Sequence, residues 1–164
     1  MSEAWIIDVC RTPRGVGKPG KGALSGLHPQ QLGASVLKAI KERNDFDTAD
    51  VDDVIWGTSM QLGTQSGDLG RMAALDAGYD ITASGMTLDR YCGSGITTSN
   101  LAASTIAAGF ADLVVAGGTE MMSQYGAIMG GRSPFMDSGN TRLRESHPQS
   151  NQGVCADAIA TMEG

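Results

Sequence analysis

The stretch Leu88-Asp89-Arg90-Tyr91-Cys92-Gly93-Ser94-Gly95 holds the residues best suited to chemistry. Apolar residues before it read as the end of a strand, and the small residues after it read as a long helix. Cys92 therefore stands on a strand-to-helix turn. Unpaired backbone N–H groups and the helix dipole favour negative charge at such a place. Both lower the pKa of a thiol and hold a thiolate ready to attack. Gly93 and Gly95 carry no side chains to keep a substrate off the backbone. The N–H groups of Cys92 and Gly93 are placed to stabilise the oxyanion that forms when a thioester carbonyl is attacked. Acyl transfer by a cysteine needs these three things. The residues alone leave a second reading open, in which Cys92 is a small buried hydrophobe at a helix start. For Cys10 and Cys155 that plain reading is preferred, since Cys10 continues an apolar strand and Cys155 has no base near it in sequence.

The elements that must position Cys92 follow from pattern. Ala4–Val9 reads as a short buried strand, broken by Arg11-Thr12-Pro13 and a Gly/Lys loop over 15–26. Pro29 opens a helix to about Asn44, with Leu32, Val36, Leu37 and Ile40 on one face. Asp53–Gly57 is a second strand, Leu69–Tyr79 an Ala-rich helix, and Met86–Asp89 a third strand. Cys92–Ala108 is the next helix, stopped by Gly109. Leu113–Gly117 is apolar throughout and reads as a strand buried on both faces. Strands and helices alternate, so the fold class is α/β with a largely parallel sheet. From Glu120 onward the pattern changes, with only a weak helix at Val154–Met162. That places a boundary near residue 120, with an inserted lid or binding segment over 121–164.

Composition bounds the function classes. The chain has 164 residues, 41% hydrophobic and 18% charged, which suits one globular domain with a core. Residues 1–44 carry seven Lys/Arg against three acids (+4), and residues 45–164 carry five against fifteen (−10). An acidic body argues against nucleic acid as a partner. No apolar run reaches membrane-spanning length. The start lacks a secretory signal pattern, and three cysteines in no metal-ligand spacing give neither a disulfide framework nor a cysteine zinc site. A cytoplasmic protein is expected, with an organelle left open. Gly15-Val16-Gly17-Lys18-Pro19-Gly20 spells GxGxxG, but no helix follows until Pro29, so it is not a dinucleotide fingerprint. Gly15 to Lys21 also fits P-loop spacing, yet Gly22 stands where a magnesium-binding Ser or Thr belongs. His28 reads as a helix-entry residue and His147 as a loop histidine.

The run YCGSGITTSNLAASTIAAGFADLVVAGGTEMMS, which ends at Ser123, resembles the nucleophile region of thiolases. Gly117-Gly118-Thr119-Glu120-Met121-Met122-Ser123 matches the family's Gly-Gly-x-Glu-x-Met-Ser ending. Arg11-Thr12-Pro13, Val54-Ile55-Trp56-Gly57 and Gln65-Ser66-Gly67-Asp68-Leu69-Gly70-Arg71 resemble family segments in order. The resemblance covers essentially the whole chain. It implies the N-terminal half of the thiolase fold over 1–120, with the start of a loop domain over 121–164.

It further implies thiolytic cleavage of a 3-ketoacyl-CoA through an acyl-cysteine at Cys92, or the reverse condensation. No bound cofactor or metal is expected, with acyl-CoA and coenzyme A as substrates and a homodimer or tetramer as the assembly. In thiolases a Gly-His-Pro histidine and a Cys-x-Gly cysteine lie in the second half, and neither motif occurs here. The chain alone is therefore expected to be catalytically incomplete and to require a C-terminal thiolase half. Two departures bear on subtype. Asp89 stands where many members have Asn, and Asn151-Gln152-Gly153 stands where short-chain acetoacetyl-CoA thiolases have His-Met-Gly. The second favours breakdown of a longer or bulkier 3-ketoacyl-CoA over the biosynthetic reaction. Asn151, Met121 and Met122 are candidate substrate contacts, although packing is the preferred role for the methionines. A decarboxylating condensing enzyme and a non-catalytic CoA-ester-binding module are the rival readings.

Overall fold

The computed structural model describes residues 3–125 and 136–164. They fall into two compact units, residues 1–128 and 129–164.

The first unit is built on three strands, β1 (Asp53–Gly57), β2 (Ser84–Leu88) and β3 (Val114–Gly118). All are parallel, in the order β2-β1-β3, with Gly57 paired to Leu88 on one side and Gly118 on the other. The carboxyl ends of the strands thus finish level with one another. Helix α1 (Pro29–Asn44) begins where Pro29 supplies a fixed φ and needs no N–H partner. His28 Nδ1 accepts the Gln30 N–H at 3.2 Å, and the Gln31 side chain accepts the His28 N–H at 3.2 Å. His28 is thus the helix-entry residue its position suggested. Helix α2 (Leu69–Asp76) starts at Asp68, whose carboxylate accepts the Arg71 N–H and the Thr87 hydroxyl. That second bond ties the start of α2 to β2. Helix α3 (Ser94–Ala107) then crosses from β2 past β1 to β3.

Strand periodicity sorts the layers. Val54 and Trp56 face α1 and α2, forming a core with Leu37, Leu69, Ala73 and Tyr79. Ile55 and Gly57 turn to the other face, where Gly57 meets Ser94 at the start of α3. Asp52 registers β1 with β3, since one carboxylate oxygen accepts the N–H groups of Asp112 and Leu113.

Two expectations fail. Ala4–Val9 forms no strand: the segment is unpaired, and Trp5, Ile6 and Ile7 are 75–85% exposed. It is anchored to α1 instead, through Asp8 to Arg43 at 2.8 Å and Cys10 Sγ to the Val36 carbonyl at 3.4 Å. A groove of about 1500 Å³ runs between this segment and β3, lined by Trp5, Ile7, Leu32, Ile40, Leu113 and Val115. As a consequence β3 is an edge strand of half-buried residues and is not buried on both faces. The helix face of Leu32, Val36 and Ile40 lines the groove, while Gly33, Ala34 and Leu37 pack into the core.

The second unit holds α4 (Thr141–Ser146) and α5 (Gln152–Glu163). Asn140 caps α4, and Arg144 forms a two-pronged ion pair with Asp137 at 2.7 and 2.8 Å. The expected weak helix is therefore present, two residues longer at its start and one at its end.

Candidate active site

β2 ends at Leu88 and α3 begins at Ser94, so five residues make the turn that carries Cys92. Tyr91 adopts a left-handed conformation, φ 48°. For a bulky side chain this is a strained backbone, a state that persists only where neighbours hold it. The neighbours here are specific. Asp89 Oδ1 accepts the Tyr91 N–H at 2.7 Å. Buried Ser94 accepts the Arg90 N–H through its hydroxyl oxygen at 2.9 Å and donates to the Tyr91 carbonyl at 2.6 Å. The bond from Asp89 uses only an acceptor oxygen, which an Asn side chain at that position would also offer.

The strain delivers an accessible sulphur. Cys92 is exposed, which removes the reading of it as a buried hydrophobe. It stands two residues before the first residue of α3, whereas the sequence pattern made it the first residue of the helix. Gly93 donates its N–H to the Arg90 carbonyl at 3.0 Å, so that donor is already engaged. The N–H groups of Cys92, Gly95 and Ile96 make no hydrogen bond among the described residues. Free amides at a helix start favour an anion.

Beside this turn lies a second group that the sequence pattern did not single out as chemistry. Glu120, just past β3, accepts through Oε2 from both the N–H and the hydroxyl of Ser59, each at 2.6 Å. Its Oε1 accepts from Gln65 at 3.0 Å, from the Thr58 hydroxyl at 3.4 Å and from the Tyr125 hydroxyl. The residue as a whole is exposed, yet its oxygens are turned onto these donors. Partial burial pushes the Glu120 carboxyl up, but the bonds from Ser59, Tyr125 and Gln65 outweigh it and hold it below the ordinary 4.5. The Tyr125 phenol is pushed up by burial, by its bond to Glu120, and by the negative charges of Glu120 and a Cys92 thiolate.

A sign follows for acid stability. A carboxyl whose folded pKa is depressed stabilises the fold in full above its unfolded value, and that contribution is lost as pH falls through the folded value. Urea unfolding at about pH 6 and about pH 3 should therefore show a larger loss for the parent than for Glu120→Gln. Equal losses would mean that the Glu120 carboxylate contributes nothing to the fold.

The other candidates lie as follows. Met121 is buried, with its N–H on Gln65 Oε1 at 2.6 Å and its sulphur accepting the Ser123 hydroxyl at 3.3 Å. Met122 is 56% exposed and lies against Gly17. Asn151 lies in the second unit, where its side chain caps α5 by accepting the Gly153 N–H at 2.9 Å. His147 closes α4, with its N–H on the Leu143 carbonyl. Residues 126–135 of the Met-rich stretch lie outside the described residues. Among the described residues no cluster of His, Cys, Asp and Glu is placed to hold a metal. No helix there is long and apolar enough to cross a membrane.

A parallel α/β sheet with an accessible cysteine on the turn entering a helix places a candidate nucleophile at the carboxyl ends of the strands, where open α/β sheets bind their ligands. Residues 4–162 match the family described as "Thiolase, N-terminal domain", and the chain belongs to the thiolase family. It is 46% identical over 124 residues to the steroid 3-ketoacyl-CoA thiolase FadA6 of Mycobacterium tuberculosis, a match covering 76% of this chain and 30% of that protein. It is 44% identical over 131 residues to a beta-ketoadipyl-CoA thiolase of Escherichia coli, covering 79% and 32%. A 3-ketoacyl-CoA thiolase of Psychrobacter cryohalolentis is 37% identical over 125 residues, covering 76% and 32%. The chain thus spans about a third of the length of these relatives.

Proposed function

We propose that this chain carries the nucleophile of a thiolase that cleaves a 3-ketoacyl-CoA, with Cys92 forming the acyl-enzyme. The observation that carries the reading is the exposed Cys92 on the strained β2–α3 turn, with its own N–H and the amides of Gly95 and Ile96 meeting no acceptor among the described residues.

The Cys92 thiolate attacks the C3 carbonyl of the substrate, and the oxyanion draws on the Cys92 N–H. Collapse of the adduct breaks the C2–C3 bond, leaving the shortened acyl group on sulphur. The departing carbanion takes a proton and leaves as acetyl-CoA. The thiol of a second coenzyme A then attacks the acyl-cysteine, and its proton returns to the Cys92 sulphur as acyl-CoA departs. Each step uses only thiol, thioester and proton chemistry, so the scheme calls on no metal and no redox group. A reducing, cytoplasmic setting suits a free nucleophilic thiol. By resemblance to thiolases, the proton-transfer groups belong to a C-terminal half, and full turnover depends on it. The enzyme would work as a homodimer or tetramer.

The names of the relatives bear on substrate. One acts on a steroid 3-ketoacyl-CoA and another on beta-ketoadipyl-CoA. Together with Asn151-Gln152-Gly153 they favour degradation of a bulkier 3-ketoacyl-CoA over the biosynthetic acetoacetyl-CoA reaction.

The test is an intact mass spectrum before and after adding a 3-ketoacyl-CoA, run on the purified chain with a C-terminal thiolase half present. A gain equal to the acyl group, mapped to Cys92, is expected. No gain even with that half present would leave the non-catalytic binding module as the better reading.

A further inference from the structure

Two successive peptide groups in the turn from β2 to α3 are held differently. The one joining Arg90 to Tyr91 is fixed at both ends: its carbonyl accepts the Gly93 N–H at 3.0 Å, and its N–H donates to Asp89 Oδ1 at 2.7 Å. The one joining Tyr91 to Cys92 is fixed at its carbonyl alone. That carbonyl accepts the Ser94 hydroxyl at 2.6 Å and the Ser94 N–H at 3.1 Å. The N–H of the same group is that of Cys92, which meets no acceptor among the described residues. A trans peptide group is planar, so its C=O and N–H point in opposite directions. Anchoring the carbonyl therefore aims the Cys92 N–H. Without an anchor the plane can rotate between its two α-carbons, as it does between type I and type II turns, and swing the N–H away while the chain path hardly changes. Ser94 is itself held. Its oxygen accepts the Arg90 N–H at 2.9 Å, which leaves its proton for the Tyr91 carbonyl. It is buried against the central strand, where a β-carbon added to Gly57 would stand 3.0 Å from that of Ser94.

Resting on the reading of Cys92 as nucleophile, we propose that Ser94 is a positioning residue for acylation: seated on Gly57, its hydroxyl locks the Tyr91–Cys92 peptide and keeps the Cys92 N–H aimed as the oxyanion donor. As the thiolate electron pair forms the C–S bond, the carbonyl π pair moves onto oxygen. That oxygen is best stabilised by a donor already in place. A donor free to rotate has to be ordered during the reaction, and the advantage of preorganisation is lost. Two bonds to the Tyr91 carbonyl also polarise the peptide and strengthen its N–H as a donor. The left-handed Tyr91 belongs to the same device. Its φ of 48° is costly for a bulky residue, and the bonds of Ser94 to the Arg90 N–H and the Tyr91 carbonyl clamp it from both sides. Ser94 thus acts through the peptide and not through the sulphur.

The experiment compares two reactions of one sulphur, in the chain with a C-terminal thiolase half present. Acylation by a 3-ketoacyl-CoA passes through an oxyanion. Alkylation by iodoacetamide displaces iodide from a saturated carbon and forms none. Both are read at Cys92 by peptide mass spectrometry, under conditions where urea titration shows each variant folded. Ser94→Ala removes the hydroxyl and nothing else. It should slow acylation by about tenfold to a hundredfold, less than the outright loss of an oxyanion donor. Alkylation should stay within about twofold of the parent. In single turnover the loss should fall on the limiting rate and not on the half-saturating substrate concentration. Gly57→Ala keeps the Ser94 hydroxyl but crowds its seat, and should give the same split; either variant decides alone if the other does not fold. Equal slowing of both reactions would show a merely structural role and overturn the proposal, and so would acylation at the parent rate. An adduct that forms in the parent and equally fast in Ser94→Ala sinks only the role of Ser94. No adduct in the parent sinks the acyl-enzyme, and this role with it.

Discussion

Cys92→Ala is expected to abolish the acyl adduct completely, while Cys10→Ala and Cys155→Ala leave it intact. The contrast follows from three different environments for one functional group. Cys10 is half-buried and donates to the Val36 carbonyl, so its sulphur is turned onto α1. Cys155 is exposed, but it lies inside α5, where its own N–H is bonded to the Asn151 carbonyl. Of the three cysteines only Cys92 combines exposure with an N–H on the same residue, and amides three and four positions on, that meet no acceptor among the described residues. A nucleophile is not partly replaceable: without sulphur no thioester can form on the enzyme, so the loss is total within detection. Cys92→Ser is the sharper variant. It keeps the shape and the N–H but replaces a thiol with a hydroxyl, a far weaker nucleophile, and it should lower the rate of adduct formation by about a thousandfold or more. Intact mass after timed exposure to a 3-ketoacyl-CoA, with the C-terminal half present, gives all four results in one series. An adduct that survives in Cys92→Ala, or moves to Cys155, would remove Cys92 from the mechanism.

How far the sequence foretold this arrangement depends on the reach of each interaction. Helix α1 was legible to the residue because its start is local: Pro29 and the Gln31 side chain act within one turn. β1 was legible because Asp53–Gly57 is central, and burial writes a clean apolar run. The Cys92 turn was legible as chemistry because small residues follow a cysteine in a pattern that only a few purposes require. Its internal bracing by Ser94 was missed, although a Ser at the first helical position was a visible signal. Glu120 was read only as part of a family ending. Its partners Ser59, Gln65 and Thr58 stand 55 to 62 positions away, and pairings of that range leave no periodicity. Ala4–Val9 misled for the opposite reason. Its apolar composition announces burial, but a strand exists only when another strand's edge is within bonding reach. Here the groove separates it from β3. Composition records what a segment would bury, and only the remaining polypeptide decides whether it does.

Trp56→Ala should cost about 3–5 kcal/mol, the usual loss for a large aromatic removed from a core. Against a typical total of about 5–15 kcal/mol, that is enough to unfold much of a small unit. The position explains the size of the effect. Trp56 is 2% exposed on the central strand. Its neighbours were made small to admit it: a β-carbon added to Gly70 on α2 or to Gly117 on β3 would come within 2.4 Å of Trp56 atoms. Two elements therefore close on one indole, and neither can move in to fill its place without breaking the sheet or the helix. The indole also reaches the site. Its Nε1 donates to Thr119 Oγ1 at 3.0 Å, and Thr119 directly precedes Glu120. Loss of the ring should thus loosen the Glu120 loop before the chain unfolds globally. Trp56→Phe separates the two effects. It keeps most of the packing and deletes the hydrogen bond, for a loss of about 1–2 kcal/mol. Urea midpoints on the parent and the two variants check both parts. If Trp56→Phe matches the parent, packing alone carries the effect; if it falls between the parent and Trp56→Ala, the bond to Thr119 is a separate tie between the central strand and the loop that follows β3.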